Sequence, residues 1–157
     1  MTATRSTVNT GQTSAWLEAD GAGAVLCRAR ESFSTRFWNE ETGCLFDVVD
    51  VDHVRGTVDD SIRPNQILAV GGLPRPLVTG GRASRIVDVV GAQLLTPLGL
   101  WTLIRSHPQY VGHYEGSPAT RDSAYHQGTA WPWLMGAFVD AWLVTRGDSD
   151  DARAEAG

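Results

Sequence analysis

The sequence predicts an all-α chain of about four helices joined by long loops in which a binding site is built. Three observations carry this. Apolar residues recur at helical spacing in separate stretches, Gly or Pro punctuates their ends, and the connecting loops hold most of the Trp, Tyr, Asp and Arg residues. Loops of that length exceed what a plain bundle needs, and long polar loops at helix ends are where sites are usually found.

Taken in order, residues 1–13 are rich in Ser and Thr and poor in large apolar groups, which predicts a disordered lead-in. From about Ser14 to near Trp38 a first helix is expected, because Val25, Ala29, Phe33 and Phe37 recur every four positions; Gly21 and Gly23 weaken its first half. "WNEETGCLFDVVD" reads as a turn at Glu41 to Gly43 followed by an extended stretch, since Leu45, Phe46, Val48 and Val49 favour strand. Pro64 suits the first turn of a short helix over residues 65–70, closed by Gly71 and Gly72. A third helix is predicted over 82–95, with Ile86, Val90 and Leu94 in a stripe beside Ala83 and Val87, and Pro97 stopping it. Residues 98–104 then read as extended and 105–125 as a long loop. Thr129 is the expected cap of a last helix that has Pro132 in its first turn, an apolar side of Leu134, Phe138, Ala141 and Trp142, and Gly147 at its end. Residues 148–157 read as a tail.

Composition limits the function. The 157 residues amount to one domain, and 42% hydrophobic content can fill a core. The net charge of −5, with 13 Lys and Arg spread along the chain, argues against nucleic acid as partner. The first residues lack the apolar core of a signal peptide, and no run approaches the roughly 20 apolar residues of a membrane span, so a cytoplasmic protein without a membrane partner is expected. Cys27 and Cys44 are accordingly expected as reduced, partly buried thiols. Familiar motifs fail on inspection: a third glycine of a dinucleotide fingerprint would fall at Leu26, and His113-x-Glu115 has no Pro-Cys-x-x-Cys after it. Neither a metal nor an organic cofactor is implied.

Residues 121–133, "RDSAYHQGTAWPW", stand out. Arg, Asp, His and Gln sit among Tyr and two Trp within thirteen positions. A core would need a partner for every polar group, and a plain solvent face has little use for three large rings. Sugars meet both demands, because their hydroxyls match such polar side chains and their C–H faces pack on aromatic rings.

The segments "FWNEETGCLFDVVD", "SIRPNQILAV", "LLTPLGLWTL", "YVGHYEG" and "RDSAYHQGTAWPWLMGAFVDAW" resemble, in the same order and at similar spacing, the C-terminal region of glycogen debranching enzymes of the amylo-α-1,6-glucosidase type. The resemblance implies a partial (α/α)6 barrel of the six-hairpin glycosidase kind over residues 14–147, and an α-glucan or oligosaccharide substrate hydrolysed at its α-1,6 branch glucose without a cofactor. It also implies site residues. Arg63, Asn65 and Gln66 match the "RPNQ" block and would bond sugar hydroxyls; Tyr125, His126 and Gln127 match "YHQG", with Trp131 and Trp133 as stacking walls. Trp38 and Asp47 match the "FWNE" block and its following Asp, and Tyr114 and Arg121 fall in matched loops. Plainer readings stand beside these: Trp133 as core, Trp142 as core, Asp47 as the cap of a turn, and Arg121 with Asp122 as an ion pair holding the loop.

Glycoside hydrolysis requires two carboxyl groups, about 6.5–9.5 Å apart in inverting enzymes. The resemblance places the acid before the matched region and the base after it, so this chain is expected to be a fragment lacking both, with Glu115 and Asp122 as weak catalytic candidates. Three readings follow: an enzyme completed by the missing barrel portion on another chain, a non-catalytic α-glucan-binding fragment, or a remnant without function. A trehalase-like or glucoamylase-like hydrolase on the same barrel is the related alternative.

Overall fold

The computed structural model describes residues 21–147, in two units divided between Thr35 and Arg36. The predicted lead-in and tail, and the start of the first helix near Ser14, lie outside the described residues. Helix α1 spans Ala22–Arg36 and follows Gly21, whose φ of 71° suits a residue without a Cβ. Its predicted stripe is only partly realised, with Val25 and Ala29 exposed and Phe33 half-buried. Cys27 is an exposed free thiol, in place of the partly buried one expected, whereas Cys44 is free and buried.

The second unit contains three small antiparallel sheets, so the fold is not purely all-α. Strand β1 (Trp38–Asn39) pairs with β2 (Cys44–Leu45), Trp38 opposite Leu45. The first helix was expected to reach Trp38, but the side-chain oxygen of Asn39 accepts the Glu41 N–H at 3.0 Å. That bond starts a turn, and Gly43 at φ 70° completes it. Strand β3 (Val48–Val49) pairs with β4 (Val58–Asp59).

The expected helix after Arg63 forms as a tight 3-10 run, Pro64–Ala69, with Pro64 at its first position. Helix α2 runs Gly80–Leu94, starting two residues earlier than predicted, and buries Ala83, Ile86, Val87, Val90 and Leu94. Those five are the predicted stripe. Strand β5 (Leu95–Thr96) turns through Pro97 and Leu98 into β6 (Gly99–Trp101), and β6 pairs on its other edge with β7 (Ala130–Trp131).

The long loop expected over 105–125 contains helix α3, Pro118–Ala124. Ser117 caps it by accepting the Thr120 N–H at 3.2 Å, a signal that a Ser-Pro pair carries in the sequence. Thr129 does not cap the last helix; its hydroxyl donates to the Ala124 carbonyl at 2.9 Å, and Trp131 precedes a 3-10 turn at Pro132–Leu134. Helix α4 (Met135–Arg146) continues from that turn and ends at Gly147, φ 89°.

The core lies where α2, α4 and the 3-10 run meet. Ile67, Ile86 and Leu94 are fully buried there, and each such side chain contributes about 1.5–3 kcal/mol. Phe138 lies over Gly91, its ring 3.5 Å from the position a Cβ would take. The predicted apolar side of α4 holds for Phe138 and Ala141, while Trp142 is only half-buried, with Arg146 4.8 Å above its ring. Among the described residues no helix is long and apolar enough to cross a membrane.

Candidate functional site

Beside this core the second unit opens into a cleft of about 310 Å3. Its polar wall is Asp47, Arg63 and Asn65, its aromatic wall Tyr125, His126, Trp131 and Trp133, and its floor Pro64, Leu100, Thr102 and Leu134. Each wall has a local cause. Asp47 follows the β1–β2 hairpin, where its N–H donates to the Asp59 carbonyl at 2.9 Å. Arg63 and Asn65 flank the proline that starts the 3-10 run.

Pairing of β6 with β7 sets Leu100 opposite Trp131 and so carries the aromatic wall to the cleft. Gly99 permits this approach, since a Cβ there would lie 2.4 Å from the Trp131 carbonyl oxygen. The rings then lean on each other. Tyr125 and Trp131 are 4.7 Å apart at 42°, and Tyr114 meets both edge-on at 6.0 Å. The Trp131 indole N–H donates to the Tyr125 carbonyl at 3.1 Å, which holds the pair in place.

Arg63 is the most connected polar side chain of the cleft. Its Nε lies 3.3 Å from Asp47 Oδ2, one terminal nitrogen donates to the carbonyls of Thr102 and His126, and the other donates to Gln127 Oε1 at 3.2 Å. Burial pushes the Asp47 carboxyl above its usual value, with Arg63 pulling it down, the Asp59 charge raising it, and a bond from Asn65 lowering it. A carboxyl raised in this way by a cleft is a common mark of a functional position. Asp59 moves the other way, held low by its bonds from Ser61.

Of the residues singled out from the sequence, the cleft brings together Asp47, Arg63, Asn65, Tyr125, His126, Trp131 and Trp133. Tyr114 supports the ring wall from outside, and Gln127 reaches the cleft through Arg63. The other five stand apart. Trp38 is buried, with the Arg82 guanidinium 4.5 Å above its ring. Gln66 is buried and spends its amide on backbone, accepting the Leu45 N–H at 3.2 Å and donating to the Arg63 carbonyl at 3.0 Å.

Arg121 donates to the Gly116 carbonyl at 2.7 Å and, among the described residues, makes no ion pair with Asp122. Glu115 and Asp122, the two catalytic candidates, are exposed on the loop and on α3, and neither lines the cleft. Both sit where the chain leaves the core, so their side chains meet water. Thr102 and Leu100 were missed, because an extended stretch does not announce which of its residues meets a distant segment. Among the described residues no group of three His, Cys, Asp or Glu side chains is arranged to hold a metal ion.

The second unit thus joins helices and hairpins around a cleft lined by the charged Asp47 and Arg63 and by the rings of Tyr125, Trp131 and Trp133. The family model for amylo-alpha-1,6-glucosidase matches residues 9–156, and the chain belongs to that family. A 90-residue stretch is 31% identical to the glycogen debranching enzyme of Saccharomyces cerevisiae (strain ATCC 204508 / S288c). It covers 54% of this chain and 6% of that protein, so the chain spans a small part of this relative's length.

Proposed function

We propose that the cleft binds the glucose units of an α-glucan, and that the chain forms one part of a debranching glucosidase of (α/α)6 type acting at α-1,6 branch points. The observation that carries this reading is the pairing of a fixed Asp47–Arg63–Asn65 wall with the Tyr125–Trp131–Trp133 wall across one cleft. Hydroxyls of a pyranose would bond to the first and its C–H face would pack on the second.

Titrating the protein with isomaltose while following tryptophan fluorescence tests the binding. Saturable quenching is expected. Trp131→Ala should weaken affinity about tenfold, equivalent to about 1.4 kcal/mol, and a linear, unsaturable response in the unaltered protein would exclude the cleft as a sugar site.

A second reading has its own support. Asp47 is the one carboxylate among the residues lining the cleft, whereas hydrolysis needs two. On this ground the cleft by itself holds glucan without cutting it, and a further part of the barrel supplies the missing carboxyl. Glucose release from a branched limit dextrin separates the two readings: binding without release favours the holding role, and release by the chain alone overturns it.

A further inference from the structure

Arg63 stands in the wall of the cleft, as a sugar ligand would. Its own hydrogen bonds argue for a different role. A guanidinium has five N–H donors and no acceptor. Nε faces Asp47, one terminal nitrogen serves the carbonyls of Thr102 and His126, and the other serves Gln127. Three of the five donors are therefore hydrogen-bonded within the protein, and Nε lies in ion-pair range of Asp47.

The partners come from three places in the chain: the segment after the first hairpin, the end of β6, and the turn that follows α3. Among the described residues lining the cleft, no other side chain is bonded to all three. The planar fork of Arg, with donors on three nitrogens, suits this bridging, whereas a Lys ammonium offers its three donors on a single nitrogen.

We propose that Arg63 is a positioning residue: it acts on a sugar through the Asp47 carboxylate, the His126 backbone and the Gln127 side chain that it holds, and is not itself a sugar ligand. This rests on the glucan reading of the cleft. In this role the guanidinium keeps Asp47 available as an acceptor for sugar hydroxyls, opposing the burial and the Asp59 charge that favour its protonated form. The charged and titratable groups around Asp47 are Arg63 and Asp59, with Tyr125 and His126 also lining the cleft and the neutral Asn65 amide bonded to the carboxylate.

The first arm of the test needs no sugar. The Asp47 carboxyl is titrated by carbon-13 NMR in the full chain and in R63A and R63K. Loss of the guanidinium should raise the Asp47 midpoint in R63A and shift the amide resonances of Gln127 and Gly128; an unmoved midpoint overturns the proposal. The second arm measures isomaltose affinity for D47N, R63A and the double variant. A positioning residue predicts that the double variant binds no worse than the weaker single variant, whereas an independent sugar ligand predicts that the two losses multiply.

If R63A does not fold, R63K takes its place. Lysine keeps a charge near Asp47, but three donors on one nitrogen cannot serve Asp47, both carbonyls and Gln127 at once, so the Asp47 midpoint should stay near that of the parent protein while affinity falls at least fivefold. Unchanged affinity in R63K would overturn the bridging role. A protein that titrates as expected yet never binds isomaltose removes the glucan reading and leaves the link between Arg63 and Asp47 standing.

Discussion

At the scale of single residues, the cleft depends on positions where a side chain would not fit. Gly128 has φ 135°, and a Cβ there would lie 2.6 Å from the Val111 carbonyl oxygen and from the Tyr110 ring. Its N–H also donates to the Thr102 hydroxyl at 2.9 Å, which ties the turn after α3 to the floor of the cleft. Gly128→Ala should therefore cost about 1–3 kcal/mol of stability, seen as a lower midpoint in urea. Trp133 behaves oppositely. At 65% exposure it contributes little to the core, and Trp133→Ala should leave the melting temperature within about 2 °C while weakening isomaltose binding. Asp59 supplies a pH test. Its carboxyl is held below the usual 3.8 by bonds from Ser61, so its contribution is present above that value and lost as pH falls through the lowered one. Asp59→Asn should thus lose less stability than the parent protein below pH 3.8, measured by thermal melts across an acid series.

At the scale of elements, two connections decide where the walls stand. Helix α3 is only seven residues long, too short to persist on propensity alone, and Ser117 anchors its start. Ser117→Ala should cost about 0.5–2 kcal/mol, registered as faster amide exchange at Thr120 and Arg121. The 3-10 run is seated on α4 through Gly71, where a Cβ would lie 2.3 Å from the Ala141 amide nitrogen and 2.4 Å from the Ala137 carbonyl oxygen. No side-chain rotation relieves a clash with backbone. Gly71→Ala should separate the run from α4 and carry Arg63 and Asn65 with it, so that stability and sugar affinity fall together.

At the scale of the whole molecule, every buried apolar residue among those described, from Trp38 to Ala141, lies in the second unit. The cleft lies there too. Helices α2 and α4 and the 3-10 run pack against one another to form the core of this unit. The hairpins and turns that carry the site are attached to its edge.

The amino-acid sequence by itself determined the helices whose apolar stripes face a common core. Ile86, Val90 and Leu94 repeat at helical spacing, Pro64 and Pro132 start their turns, and Gly147 ends the last helix. These are local rules of periodicity and backbone freedom, and they act within a few residues. The sequence also marked Tyr125, His126, Trp131 and Trp133 through the crowding of polar groups among rings in residues 121–133, and Asp47, Arg63 and Asn65 through the family resemblance. Only the tertiary structure decided that Glu115 and Asp122 stand in solvent, that Gln66 serves backbone, and that Thr102 joins Arg63 in the cleft. Strands of two or three residues carry too little periodicity to be read, and their pairing depends on turns closing between segments. Which side chains meet across the cleft is settled by that long-range pairing, for which no local pattern in the chain is a sufficient guide.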